Sequence, residues 1–142
     1  MDHVVYVDEK AEELPAILSG AKTMIIRGAT GGKIPHRRVN PDDVLYLIEN
    51  DGTGQIRAKA QVVSVFNSEK VTKDGSISLV EEHQDKLNLT SAQSQWWAGK
   101  RYLVLIVIRA AKKVKPFKID RSGYGNMDDW LPVGNIGKVK AG

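Results

Sequence analysis

Residues 102–108, YLVLIVI, form an unbroken apolar run rich in β-branched side chains. A run with no polar face must be covered on both sides. It therefore predicts a strand lying between two other strands at the centre of a sheet, with packing above and below. It is far shorter than the roughly eighteen apolar residues a membrane helix needs. The chain must then build a folded core around this strand. Its 142 residues, with 42% hydrophobic and 27% charged side chains, suffice for one ordinary domain.

The rest of the chain supplies the partners. His3 to Val7 reads as a strand. Asp8 is placed to cap a following helix, which begins near Glu12, tolerates Pro15 in its first turn and stops at Gly20. Lys22 to Arg27 predicts a second strand. Residues 28–41 form a loop, with glycines and prolines and no apolar period. Asp43 to Glu49 predicts a third strand and Gln55 to Phe66 a fourth, joined by the turn residues 50–54. Ile56, Ala58, Ala60 and Val62 alternate with Arg57, Lys59 and Gln61, so this hairpin has one wet face. Residues 71–78 read as irregular, with a turn at Asp74-Gly75. Two short helices follow, over 79–87 and 91–97, the second capped by Thr90 or Ser91. Lys115 to Ile119 predicts a further strand, and Trp130, Leu131 and Val133 pack back on the body. The order is α+β: a small mixed β-barrel of about six strands with two or three short helices at its openings. Strands and helices do not alternate, which argues against a doubly wound sheet.

Charge is distributed unevenly. Residues 1–108 hold 13 Lys/Arg and 14 Asp/Glu, whereas residues 109–142 hold 8 Lys/Arg and 3 acids. Lys22, Arg27, Lys33, Arg37 and Arg38 also fall in a stretch with one His and no acid. Clustered cations fit an anionic partner such as nucleic acid, or a surface kept soluble by charge. With no cysteine there is no disulfide framework and no thiol nucleophile. His3, His36 and His83 lack metal-ligand spacing, so neither a metal nor another cofactor is expected. Gly31-Gly32-Lys33-Ile34 fails as a phosphate loop: the glycine spacing is short, Ser/Thr is missing at Ile34 and Pro35 blocks the helix. The N-terminus carries no signal pattern, which predicts a cytoplasmic location.

Residues 17–27, ILSGAKTMIIR, resemble the signature of the ASCH domain, a branch of the PUA-like β-barrel superfamily: a helix ending in Gly-x-Lys, then a strand ending in Arg. Gly20, Lys22 and Arg27 carry the match. VNPDDVLYLIENDG resembles the family's next element, with Pro41-Asp42 in place of its usual Gly-Asp, and the hairpin and late apolar strand follow in the family's order. The resemblance spans roughly residues 9–110. It implies a single PUA-like barrel domain over 1–142, with a basic C-terminal segment at 109–142, and an RNA or nucleotide as partner.

An amidohydrolase branch acting on acylated cytidine uses a Lys, a Thr two before the Arg, and a later Glu. Lys22 is present, but the Thr position is Ile25, and neither Glu81 nor Glu82 falls at the matching place. Water activation needs both the hydroxyl and the carboxylate.

Three functions remain open. The first is an RNA-binding or modified-nucleotide-binding module. Its phosphates would meet Lys22, Arg27 and the loop cations Lys33, Arg37 and Arg38, with His36 beside them. A base would stack on Trp97 or Tyr124. The second is a small hydrolase, an amidohydrolase on acylated nucleosides or a ribonuclease, with Lys22 as its key residue. The third is a protein-binding or structural domain. Each residue also has a plainer role: Lys22 as an edge-strand lysine, Arg27 as the partner of a buried carboxylate, and Trp96 and Trp97 as core. Everything turns on whether Lys22, Arg27 and one tryptophan reach the same concave opening.

Overall fold

The computed structural model describes residues 1–29, 31, 35–125 and 129–141. Six strands form one curled sheet: β1 (Asp2–Val7), β2 (Met24–Ala29), β3 (Val44–Glu49), β4 (Gln55–Asn67), β5 (Tyr102–Lys118) and β6 (Trp130–Gly134). Their spatial order is β2-β5-β4-β3-β1-β6. All neighbours are antiparallel except β1 and β3. Helix α1 (Glu13–Ser19) connects β1 to β2, and α2 (Lys73–Glu82), α3 (Gln84–Leu87) and α4 (Ser91–Trp97) connect β4 to β5. This is an α+β half-barrel of the PUA-like kind. No helix among the described residues is long and apolar enough to cross a membrane.

Period-two alternation builds the core on both faces of the sheet. Ile25, Val104 and Ile106 join Ala58, Ala60, Val62 and the α1 residues Leu14 and Ile17 inside the curl. Met24, Ile26, Leu103 and Leu105 face the other way, under Val80, Leu87 and Leu89 of the helical connection. A third cluster joins Val4, Ile48 and Ile56 to Leu131, Val133 and Val139 of the C-terminal segment. The alternation expected for the hairpin holds, with Ile56, Ala58, Ala60 and Val62 buried and Arg57 and Lys59 half-exposed. The packing of Trp130, Leu131 and Val133 holds too.

Several local expectations are corrected. The apolar run 102–108 is covered on both faces, but β5 lies second from the sheet's edge, not at its centre. The strand also runs on to Lys118, so residues 115–119 begin no separate strand. Beyond Ile108 the partly buried residues come every third position, at Ala111, Val114 and Phe117. Neither a period of two nor a continuous run shows there, because two of the three slips in register with β4 fall in that half. At each of those two slips β5 carries more residues than β4.

Residues 73–78, expected to be irregular, are the start of α2. Asp74 and Gly75 occupy its first turn, and the Thr72 side chain accepts from the Gly75 N–H. First-turn amides need a cap and not an intrahelical partner, so turn-forming residues fit there. Asp8 is not the cap residue of α1: Glu12 holds that position with φ 54°, and the Asp8 carboxylate accepts from the Ala11 N–H instead. Gly20 does end α1, at φ 85°. Strand β2 starts two residues later than expected, leaving Lys22 ahead of it.

Candidate functional site

The sheet curls until its β2 edge comes near β1 and the segment entering β6, and Arg27 bridges that gap. Its Nη2 donates to the Tyr6 carbonyl at 2.6 Å, and its Nη1 donates to the Ile26 carbonyl at 2.7 Å. Its Nε lies 3.3 Å from Asp129 Oδ2. The guanidinium carbon sits 5.8 Å from the centre of the Trp97 ring and 5.7 Å from that of Trp130. A planar fork suits this position because it can bond in its plane and be covered on its faces.

Lys22 is 2% exposed, and its Nζ donates to the Leu87 carbonyl at 2.5 Å. Burial lowers its pKa to about 8; the charge of Glu13 opposes that shift and the charge of Arg27 adds to it. Glu13 is itself buried, accepting from the Asp8 N–H at 3.1 Å and from Gln93 Nε2 at 3.2 Å. Gln93 is held in turn by the capping box at the start of α4, where its Oε1 accepts from the Thr90 N–H. A cap motif thus fixes a side chain that orients a carboxylate beside the buried ammonium.

Lys22, Arg27 and Trp97 line one cleft of about 490 Å³. Asp8, Glu13, Asn50, Gln93, Trp96, Arg121 and Asp129 complete its polar and aromatic walls. Arg121 lies over the Tyr6 ring, 5.2 Å from its centre, and donates to the Gly125 carbonyl. A second pocket of about 200 Å³ shares Arg27, Trp96, Trp97 and Asp129 with the first and adds Gly28, His36, Lys100 and Tyr102. Trp96 is 64% exposed, and Lys100 Nζ lies 4.5 Å from the centre of its ring.

Of the other residues expected at the site, Arg37, Arg38 and Tyr124 line neither pocket. Arg37 is exposed and paired with Glu69 at 2.6 Å, and Arg38 is exposed; neither lines the two pockets. Tyr124 packs against the third core cluster. Lys33 lies outside the described residues. His36 reaches the smaller pocket, its Nε2 2.7 Å from the Ser68 carbonyl. Glu81 and Glu82 are exposed on α2, and Ile25, at the Thr position of the amidohydrolase pattern, is a fully buried core residue. Among the described residues no group of three or more His, Asp or Glu could hold a metal ion.

Sequence reasoning missed Glu13, Gln93 and Lys100, and it left open which of Trp96 and Trp97 reaches the opening. The signal for Gln93 was present in the Thr90-x-x-Gln93 capping spacing. For Glu13 no local signal exists, since an acid in a first helical turn reads as a solvent-facing residue.

The sequence matches no family model and no curated protein. Solved structures do resemble the chain. ASCH from Zymomonas mobilis is 14% identical, with 92% of this chain and 85% of that chain covered at a TM-score of 0.66. A point variant of the same protein is 15% identical, covering 92% and 88% at 0.67. A hypothetical protein is 16% identical, covering 80% and 100% at 0.51. At such identities a likeness speaks to architecture alone, and together with the strand order above it establishes that this chain has an ASCH-like fold.

Proposed function

We propose that this protein, as a single domain, is an RNA-binding or modified-nucleotide-binding module whose larger cleft receives a base. The observation that carries this reading is the convergence of Lys22 and Arg27 with Trp97, remote from them in sequence, on one cleft of about 490 Å³. That volume suits a small-molecule-sized group, since ligand pockets run roughly 300–1,000 Å³. The lining chemistry fits a base in particular. Indole faces offer stacking, and Asn50, Gln93 and Glu13 offer donors and acceptors for its edge. Lys22 supports the reading because its ammonium has two donors beyond the one given to Leu87. The hydrolase alternative gains no support, because the position that would carry its hydroxyl is the core residue Ile25.

Titration of a fluorescently labelled single-stranded RNA of mixed sequence at 50 and 200 mM salt tests the proposal. Binding at the lower salt that weakens at the higher is expected. No binding at the lower salt would remove this reading.

A further inference from the structure

We propose that the smaller pocket is a phosphate subsite, so that the protein recognises a base together with its adjoining phosphate rather than a free nucleoside. The proposal rests on the base-binding reading of the larger cleft and adds to it a second position of defined chemistry.

Three observations carry it. The first is size. At about 200 Å³ the smaller pocket is below the roughly 300 Å³ at which pockets take a whole ligand, so it fits a fragment such as a phosphate group. The second is charge. Arg27 and Asp129 form the wall common to both pockets and are already paired with each other. Apart from that pair, the larger cleft is balanced, with Lys22 and Arg121 against Asp8 and Glu13. Among the described residues, the smaller pocket has Lys100 and no further carboxylate. His36 Nε2 is engaged with the Ser68 carbonyl at 2.7 Å. A neutral base therefore suits the first space and an anion the second.

The third observation is the shared ring. Lys100 Nζ stands over Trp96, 4.5 Å from the ring centre, and Trp96 borders both pockets. A base stacked on the other face of that indole would have its phosphate within reach of Lys100 around the ring's edge. Aromatic plane and cation are thus held as one unit, matching the alternation of base and phosphate along a single strand.

The experiment is competition against the labelled RNA by the four ribonucleosides and by their 5′- and 3′-monophosphates, in the wild type, Lys100→Ala and Lys100→Arg. At least one monophosphate is expected to compete about tenfold better than its nucleoside, the size of one charge-assisted contact. Lys100→Ala should lose that preference and Lys100→Arg should recover it. If RNA binds but nucleosides and monophosphates compete equally, or Lys100→Ala keeps the preference, the phosphate subsite is overturned and the base-binding cleft stands. If RNA does not bind the wild type at all, the cleft reading itself falls and takes the subsite with it.

Discussion

Trp130 touches two buried polar clusters, one through His3 and one through Arg27, and they are built differently. On one side Trp130 Nε1–H donates to His3 Nδ1 at 3.0 Å. That fixes the His3 tautomer, so its Nε2–H donates to Asp43 Oδ2 at 2.8 Å. Asp43 Oδ2 also accepts from the Asn40 N–H. Burial raises the Asp43 pKa, but the hydrogen bonds from His3 and Asn40 outweigh it and hold the carboxylate below its usual range. Burial likewise keeps His3 below its ordinary value despite Asp43. On the other side stand Arg27, Glu13 and Lys22, opening on the cleft. The first cluster answers its donors internally and is sealed, with His3 fully buried. The second leaves donors of a buried ammonium facing a space. Polar groups of the first kind hold a fold together, whereas the second kind keeps capacity for something else to bind.

Breaking the sealed cluster should have the largest effect. Trp130→Ala removes a 2%-exposed indole, the His3 hydrogen bond and one cover of Arg27. It should cost about 3–5 kcal/mol in urea unfolding, the usual range for a buried aromatic. A loss below about 1 kcal/mol would show that the cluster does not support the fold.

Lys22 should respond to pH instead. Its folded pKa of about 8 lies below the ordinary 10.5, so between those values the unfolded chain holds a proton that the folded chain has released. Stability from this group must therefore rise with pH across that window, by about 3 kcal/mol in all, and the penalty is present in full below about pH 8. The difference in unfolding free energy between the wild type and Lys22→Met, followed from pH 7 to 10.5, measures it. A difference that stays flat across the range would contradict the buried ammonium. RNA affinity should fall over the same rise through pH 8, as the cleft loses a positive charge.

Arg27→Lys keeps a charge but loses the fork that ties β2 to Tyr6 and Asp129. It should destabilise by about 2 kcal/mol, as expected for lost hydrogen bonds from a charged group. Equal stability would mean that the bridge across the sheet edges does not depend on guanidinium geometry. The smallest effect on stability belongs to Trp96→Ala, within about 0.5 kcal/mol because the ring is 64% exposed. RNA affinity should nevertheless drop by about 1–3 kcal/mol, the value of one stacked base. An unchanged affinity would take Trp96 out of the site.

Much of the barrel was legible because its signals are local. Alternation along Gln55–Asn67, the apolar run at the start of β5 and the glycine after α1 each depend on backbone geometry over a few residues. Gly20, Lys22 and Arg27 were found through a short resemblance, and the cleft does contain the last two. Trp97 was singled out without a means to choose between it and Trp96; the structure puts both on the cleft and exposes Trp96 more. The distal half of β5 was illegible because two bulges break its period of two. Lys100 was passed over because one lysine after a glycine carries no pattern.

By itself the sequence determined which side chains face inward along the regular stretches of strand and where the first helix must stop, since strand pleat and a left-handed glycine act within a turn or two of chain. Only the tertiary structure decided that β2, α4 and the segment entering β6 meet around Arg27. That meeting depends on how far the sheet curls, which bulges and core packing set together across the whole molecule.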